Sequence, residues 1–320
     1  FNENEYLFVF ANQSTVSYNI KNMGPRMLPS YNNQGWRGYF VPTWEAVQCF
    51  LSKNGLPIHM DPETKAASED PTQLVEAPGF PGEQTSILHV NREPRFYASV
   101  GYDRGSYDLD NSTFMLKCRR GEPQQWDGNT GNEYQTCTGY YIKKFVYTGW
   151  NPFDADIQTS YHPLMLFRWT EMCLILAESA SKVTSPTDAR FGYSAKQALA
   201  WLRSRPTMDG TPGVGSTSDP YLDECAGDPQ KFEELVKSEW RVETCFEGHD
   251  FYNSRRWATD VSEINVPIKR VLITGEGDAT TYNYETVTTL NYPSLWQPIP
   301  YLEVRRCPNL VQNKGFESWK

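Results

Sequence analysis

Two glutamates in the stretch KFEELVKSEWRVETCFEG are spaced so that they could carry out acid–base chemistry. Glu239 and Glu243 are four residues apart, which on a helix brings their Cβ atoms to roughly 5–6 Å. Retaining glycosidases hold an acid and a nucleophile at about 5–5.5 Å, so one interpretation is catalytic. Both glutamates also fall on the apolar stripe of the predicted helix, where buried carboxylates repel each other unless cations lie between them. Arg168, Arg255 and Arg256 can supply those cations, and we therefore predict structural ion pairs rather than catalysis.

The segment PSYNNQGWRGYF, residues 29–40, combines the side chains that a sugar-binding site needs. A sugar ring has an apolar C–H face and a polar rim, so it is held by flat rings together with amides or a guanidinium group. We predict that five residues of this segment contact a ligand: Tyr31, Asn32, Trp36, Arg37 and Tyr39. The alternative is a loop whose rings only pack on neighbouring helices.

Trp126, in the polar stretch RRGEPQQWDGNTGNEY, is a second candidate for ligand contact. Aromatic residues make up 14% of the chain, and many lie in such Gly- and Pro-rich stretches. The cysteines form no CxxC pattern and the four histidines are scattered, so we predict no metal site and no cofactor. Cys118 and Cys137 flank this stretch and could pair.

The composition excludes some classes of partner. The net charge of -9 and the pI of about 5.1 argue against nucleic acid and against adhesion to anionic lipid, which need clustered Lys and Arg. Hydrophobic residues make up 39% of the 320 residues, which is enough for a sizeable core. The opening FNENEYLFVF has no basic or cleavage-site features of a signal peptide, so we expect the chain to start inside a mature protein.

Helices are predicted mainly for the second half of the chain. Pro163 suits a first helical turn, ahead of the apolar-periodic stretch LMLFRWTEMCLILAESASK. Ser194 and Gln197 form a capping-box pattern before a second helix. A third helix is expected to begin at Asp228 and to stop at Gly248.

The first two of these helices form one helix-turn-helix unit. Such a unit cannot bury its apolar faces alone and needs further helices against it. We therefore expect apolar side chains without a partner in this chain, with Trp169, Met172 and Leu202 as candidates.

The first half is predicted to hold short strands and long irregular segments. Thr43 can cap a helix that ends at Gly55, and residues 55–88 are expected to be irregular. The expected strands are 5–10, 96–100, 114–118 and 140–147, with a hairpin of 270–275 and 282–289.

Six ordered stretches resemble the SusD/RagB family. FRWTEMCLILAESASK is similar to the family's R-x-x-E-x-x-L-x-x-A-E helix, and FEELVKSEWRVETCFEGHDFYNSRRW to its E-R-R-x-E-L-x-F-E-G-x-R-x-x-D-x-R-R-W segment. The other four are NENEYLFVF, NREPRFYASVGYDRG, TGYYIKKFV with the pattern T-G-Y-x-x-x-K, and WQPIPYLEVRRCPNLVQNKGF. Trp240, Asp250 and Asn253 depart from the charged residues usual at their positions, which changes the expected ion pairs.

The resemblance implies a mainly α fold of tetratricopeptide-like helix pairs with long irregular loops and short β-hairpins. Residues 1–320 are expected to form a single SusD-like domain that corresponds to the C-terminal part of the usual family length, without the N-terminal helical-repeat region. Within this fold, the resemblance and the helix pattern imply structural roles for seven residues: Arg168, Glu171, Glu178, Glu239, Glu243, Arg255 and Arg256.

The resemblance further implies a non-enzymatic protein that binds oligosaccharide at the bacterial outer-membrane surface. It would deliver the glycan to a SusC-like TonB-dependent β-barrel transporter. Its contact with the membrane would be a lipid anchor in the N-terminal region. Two alternatives stay open, namely a glycoside hydrolase or an accessory domain of one, and a peptide-binding member of the same family.

Overall fold

A computed structural model provides the structure of this chain. It describes residues 5–10, 24–25, 38, 40–109, 111–124, 136–146, 148–149, 164–190, 192–207, 209–307 and 309–318.

The described part of the chain is mainly helical, with short strands between the helices. The helices are α1 (Trp44–Cys49), α2 (Lys65–Glu69), α3 (Pro94–Ser99), α4 (Trp169–Val183), α5 (Ala195–Ser204), α6 (Pro220–Ala226), α7 (Pro229–Glu243), α8 (His249–Trp257) and α9 (Tyr301–Arg306). The strands are β1 (Tyr6–Phe10), β2 (Leu74–Glu76), β3 (Gln84–Ser86), β4 (Val100–Gly101), β5 (Ser106–Leu109), β6 (Ser112–Met115), β7 (Tyr141–Ile142), β8 (Leu164–Arg168), β9 (Pro267–Thr274) and β10 (Thr281–Thr289).

The strands pair two by two and antiparallel: β1 with β8, β2 with β3, β4 with β7, β5 with β6, and β9 with β10. The predicted fold class, helices with short β-hairpins, is therefore confirmed.

Local capping signals place several helix starts where the sequence predicts them. The Ser194 side chain accepts a hydrogen bond from the Gln197 N–H at the start of α5. The Asp228 side chain likewise accepts hydrogen bonds from backbone N–H groups in the first turn of α7. The predicted hairpin is also present, as β9 and β10. Thr43 caps α1 as expected, but that helix ends at Cys49 and not at Gly55.

Two predicted elements are of the wrong type. Residues 164–168 form strand β8, although the sequence predicts helix from Pro163 onward. A short apolar run such as LMLFR fits either state, and here pairing with β1 decides it. Residues 96–99 are helical and not extended, because Pro94 stands at the first turn of α3 and presets the helical φ.

The buried apolar residues form two clusters that meet along α7. The first cluster is built from α1, α3 and the short strands, and it includes Val47, Phe96, Tyr107, Tyr141 and Val271. The second is built from α4 to α7, and it includes Leu174, Leu199, Leu222, Phe232 and Leu235. Helix α7 contributes Val242 to the first cluster and Trp240 to the second, so its polar side chains lie at the junction.

One face of α4 carries apolar side chains that the described part of the chain leaves exposed. Trp169 is 45% exposed and Met172 is 43% exposed, as the sequence predicts. Leu202, the third residue expected to be exposed, is only 2% exposed, and that prediction is wrong. It shares a face of α5 with Ala198 and Leu199, and this face packs into the second cluster.

Candidate functional site

Glu239 lies fully buried at the junction of the two clusters and is paired with two arginines. Arg95, from α3, donates to one of its carboxylate oxygens at 2.7 Å. Arg203, from α5, donates to the other at 2.7 Å. Arg203 also bonds Asp219, at the N-cap of α6, so this ion cluster joins four helices.

Glu243, one turn further along α7, is buried with its own cations. It accepts from Arg95 at 2.8 Å and from Arg205 at 2.6 Å. Arg168 donates to its backbone carbonyl at 2.6 Å and pairs with the carboxylate of Glu247. Arg95 therefore lies between the two glutamates, where the sequence requires a cation.

The sequence suggests three arginines as partners of the two glutamates. Arg168 belongs to the cluster, but Arg255 and Arg256 do not contact either glutamate. Arg256 pairs with Glu178 on α4, and Arg255 donates to the Phe251 carbonyl. Both arginines lie on α8 beyond the turn at Gly248, which carries them away from the buried face of α7.

The electrostatics of the pair do not suit an acid and a nucleophile. Burial raises the pKa of Glu239, but Arg95 and Arg203 outweigh this and hold the pKa below its usual value. Burial likewise opposes ionisation of Glu243, and Arg205, Arg95 and Arg168 lower its pKa to about 2. A general acid at neutral pH needs a raised pKa, so neither carboxyl group is prepared to donate a proton.

The remaining glutamates of the predicted structural set lie at helix contacts. Glu171 accepts from the backbone N–H of Arg168 and closes a capping box at the start of α4. Glu178 binds Arg256 and accepts from the Trp257 indole at 3.0 Å, which ties α4 to α8.

The partners in this cluster that the sequence reasoning missed include Glu93, Arg95, Arg203 and Arg205. Glu93 and Arg95 lie in the stretch NREPRFYASVGYDRG, where the resemblance to a family pattern was the available signal. Arg203 and Arg205 lie in the stretch AWLRSRP, where no pattern in the sequence singles them out.

The six predicted ligand contacts, Tyr31, Asn32, Trp36, Arg37, Tyr39 and Trp126, lie outside the described residues. Five of the six lie in the segments 26–37 and 125–135, whose bounding residues the structure describes, and Tyr39 lies between the described Gly38 and Phe40. Pro25 and Gly38 bound the first segment, and the Gly38 N–H donates to the carbonyl of Gly24, next to Pro25, at 3.0 Å. Gln124 and Thr136 bound the second.

Tyr141, on β7, contacts the boundaries of both segments. Its hydroxyl donates to the Gln124 carbonyl at 2.8 Å and accepts from the Thr136 N–H at 3.0 Å. Its ring lies against Gly38, where an added Cβ would come within 2.7 Å of the ring edge. The described boundaries of the two segments therefore meet beside one buried tyrosine.

The surroundings of Tyr141 hold it in place. Tyr141 is fully buried and pairs with Gly101 of β4. The preceding turn is fixed by Thr136, whose hydroxyl donates to the Tyr140 carbonyl at 2.7 Å. At Gly139, with a φ of +84°, a Cβ would collide with Val271 of β9, so only glycine fits this turn.

Within the described ranges, no set of three or more His, Cys, Asp or Glu side chains is arranged to hold a metal ion. All seven cysteines are unpaired thiols, with Cys118 buried and Cys137 exposed. Of the helices in the described part, none has the length and apolar character needed to cross a bilayer.

The sequence and the fold are similar to those of known proteins. Residues 4–316 match the SusD family. A SusD-like protein of Bacteroides fragilis NCTC 9343, BF3747, is 22% identical with a TM-score of 0.66 over 98% of this chain and 54% of its own. The protein BT4246 is 23% identical with a TM-score of 0.68 over 97% of this chain and 50% of its own.

No curated protein sequence matches the chain. The chain spans about half the length of the two solved structures, and at these identities the likeness to them shows the fold. The family match, by contrast, covers nearly all of the 320 residues. This chain therefore belongs to the SusD family.

Proposed function

We propose that this chain binds an oligosaccharide without chemical turnover and that the segments 26–37 and 125–135 supply the contacts. The observation that carries the proposal is the meeting of both segment boundaries at Tyr141. Trp36 and Trp126, each a candidate by its side-chain chemistry, thus lie in segments whose described boundaries are adjacent. Rings from both can stack on the sugar faces while Asn32 and Arg37 bind hydroxyl groups.

The state of the buried glutamates supports binding without hydrolysis. Glu239 and Glu243, the pair whose spacing suggests catalysis, are both engaged by arginines. Neither has a free oxygen face toward solvent, since both are buried. A sugar cannot reach them without unfolding the junction of the two clusters.

Family membership supports the wider setting of the proposal. We place the protein at the bacterial outer-membrane surface, where it passes the glycan to a SusC-like TonB-dependent β-barrel transporter. A lipid anchor would lie in the part of the family's length that this chain does not span. Affinity should be modest, because exposed sugar hydroxyls give up bound water on binding.

Replacing Trp36 tests the proposed contact. Trp36→Ala should weaken binding to the retained oligosaccharide by roughly 1–3 kcal/mol, as loss of ring stacking does elsewhere. Calorimetric titration measures the affinity, and the midpoint of thermal unfolding should barely change. Trp296→Ala is a matched control, because Trp296 is 69% exposed on the C-terminal segment. Equal affinity of both variants and the parent chain would place the ligand away from residues 26–37.

A further inference from the structure

We propose that the segment around α9 is a membrane-contacting finger, which places apolar side chains among the headgroups of anionic lipids. The finger consists of residues 296–307 and 309–316, all of which the structure describes. The inference rests on the proposed function only for its setting at a membrane surface, and lipid vesicles test it without any glycan.

The finger stands out from the rest of the fold. None of its residues belongs to either core cluster. Helix α9, at its tip, has no buried residue, and Gln312 is the only buried residue of the finger. Its other side chains are therefore available for contact with a partner.

Two side-chain amides hold the arms of the finger together. The Gln312 side chain accepts from the Ile299 N–H at 2.7 Å and donates to the Ile299 carbonyl at 2.9 Å. The Asn313 side chain donates to the Gln297 carbonyl at 2.6 Å. These bonds close the chain on both sides of α9, so the tip is already ordered and contact costs little further ordering.

Large apolar side chains are concentrated on the finger. Five of them are more than a third exposed: Trp296 (69%), Tyr301 (48%), Leu302 (61%), Leu310 (39%) and Val311 (84%). Single exposed apolar residues are ordinary, but a group of them on one unit marks an interaction surface. Because this unit protrudes, it fits a deformable partner such as a lipid layer, and Trp and Tyr are enriched where membranes meet water.

The charge of the finger is opposite to that of the rest of the chain. Its charged residues are Arg305, Arg306, Lys314 and Glu303, which sum to +2, so the remainder of a chain at -9 carries -11. Arg306 pairs with Glu303, while the Arg305 guanidinium lies over the Tyr301 ring at 5.6 Å. The composition of the whole chain argues against anionic lipid, but the finger is attracted to it and the remainder is repelled, which orients the chain finger-first.

Val311→Asp tests the apolar contact, and Val287→Asp is the matched control. Val287, on β10, is also an exposed valine, at 49%, and both substitutions change the net charge equally. Co-sedimentation with vesicles of equal parts phosphatidylethanolamine and phosphatidylglycerol measures the partition coefficient at low salt. Val311→Asp should lower it by at least about 5-fold, because one charge near the headgroups has an effect of this size. Val287→Asp should change it by less than about 2-fold.

Arg305→Gln tests the charge, and Arg190→Gln is the matched control. Arg190 is a 61% exposed arginine outside the finger, paired with Asp188. Arg305→Gln should lower partition into the anionic vesicles by about 5-fold and leave partition into vesicles of phosphatidylcholine alone unchanged. Arg190→Gln should match the parent chain on both. Equal partition of the parent chain into both kinds of vesicle would overturn the role of charge.

Three further results would overturn the finger as the contact. The parent chain does not sediment with the anionic vesicles, or the two valine variants lose the same amount. In the third, Met172→Gln with Ile175→Gln abolishes sedimentation while Val311→Asp keeps it, which would move the contact to α4. If the parent chain retains no oligosaccharide, the proposed function fails, while the vesicle assay still decides whether the finger contacts lipid.

Discussion

Glu239→Gln is the substitution that tests the buried ion cluster most sharply. The replacement keeps the size of the side chain and removes its negative charge. In the parent chain, Glu239 accepts from Arg95 and Arg203, each at 2.7 Å, and is not exposed at all. After the substitution, the fully buried guanidinium group of Arg203 and the largely buried one of Arg95 face a neutral amide.

The expected cost follows from what each arginine retains. Removing one partner of a buried ion pair costs about 3–5 kcal/mol when the remaining charge has no other partner. Arg203 keeps Asp219, and Arg95 keeps both Glu93 and Glu243, so the compensation is only partly lost. We therefore expect a loss of about 2–4 kcal/mol in the free energy of unfolding.

Urea denaturation followed by circular dichroism measures this loss. Glu233→Gln is the matched control on the same helix. Glu233 also forms two ion pairs, with Lys182 and Lys237, but its side chain is 38% exposed. Such surface pairs contribute about 0.2–1 kcal/mol. The reasoning is refuted if the two variants lose the same small amount, or if Glu239→Gln keeps its stability and abolishes a measurable hydrolysis.

Two further predictions concern acid stability and the exposed face of α4. The folded-state pKa of Glu243 is lowered from 4.5 to about 2, so its ionised form stabilises the fold fully above pH 4.5. This contribution to the free energy of unfolding, on the order of 3 kcal/mol in total, is lost as the pH falls toward 2. Urea midpoints that stay constant from pH 5 to about pH 3 in the parent chain would contradict this prediction. The apolar side chains of α4, including Met172 and Ile175, should bind a hydrophobic dye, and Met172→Gln with Ile175→Gln should reduce dye fluorescence while changing the unfolding free energy by less than about 0.5 kcal/mol. We propose that helices from the part of the solved relatives' length that this chain does not span cover this face. A parent chain that binds no dye would instead show that residues of this chain cover it.

The sequence predicts the features of this fold that depend on local chemistry. Ser194 and Asp228 cap their helices because a side-chain oxygen needs only the N–H groups two or three residues ahead. The β9–β10 hairpin and the exposure of Trp169 follow in the same way from nearby residues.

Features that depend on partners far away along the chain could not be predicted from the sequence. LMLFR becomes a strand because it meets β1, which is about 160 residues away along the chain. Arg95 lies 144 residues from Glu239, and no local pattern joins them. Leu202 is buried because α6 and α7 cover its helix, which the predicted two-helix unit did not include.

In the candidate site, too, local side-chain chemistry could be predicted from the sequence and contacts between distant residues could not. Side-chain chemistry alone selects Trp36 and Trp126, since aromatic and amide side chains in polar segments suit a sugar. Tyr141 carries no such signal, because a tyrosine in the stretch TGYYIKKFV is a core residue by pattern. Its contacts with the boundaries of both segments are visible only in the structure.

The central claim, capture of a glycan without turnover, is tested most directly by following the fate of the bound sugar. The chain is incubated with a fluorescently labelled oligosaccharide that it retains, and the sugar is then recovered and sized by chromatography. We predict that all of the label returns at its original length, however long the incubation. Shortened products that form in proportion to protein, and that disappear in Glu243→Gln, would contradict the account and make the chain a glycoside hydrolase.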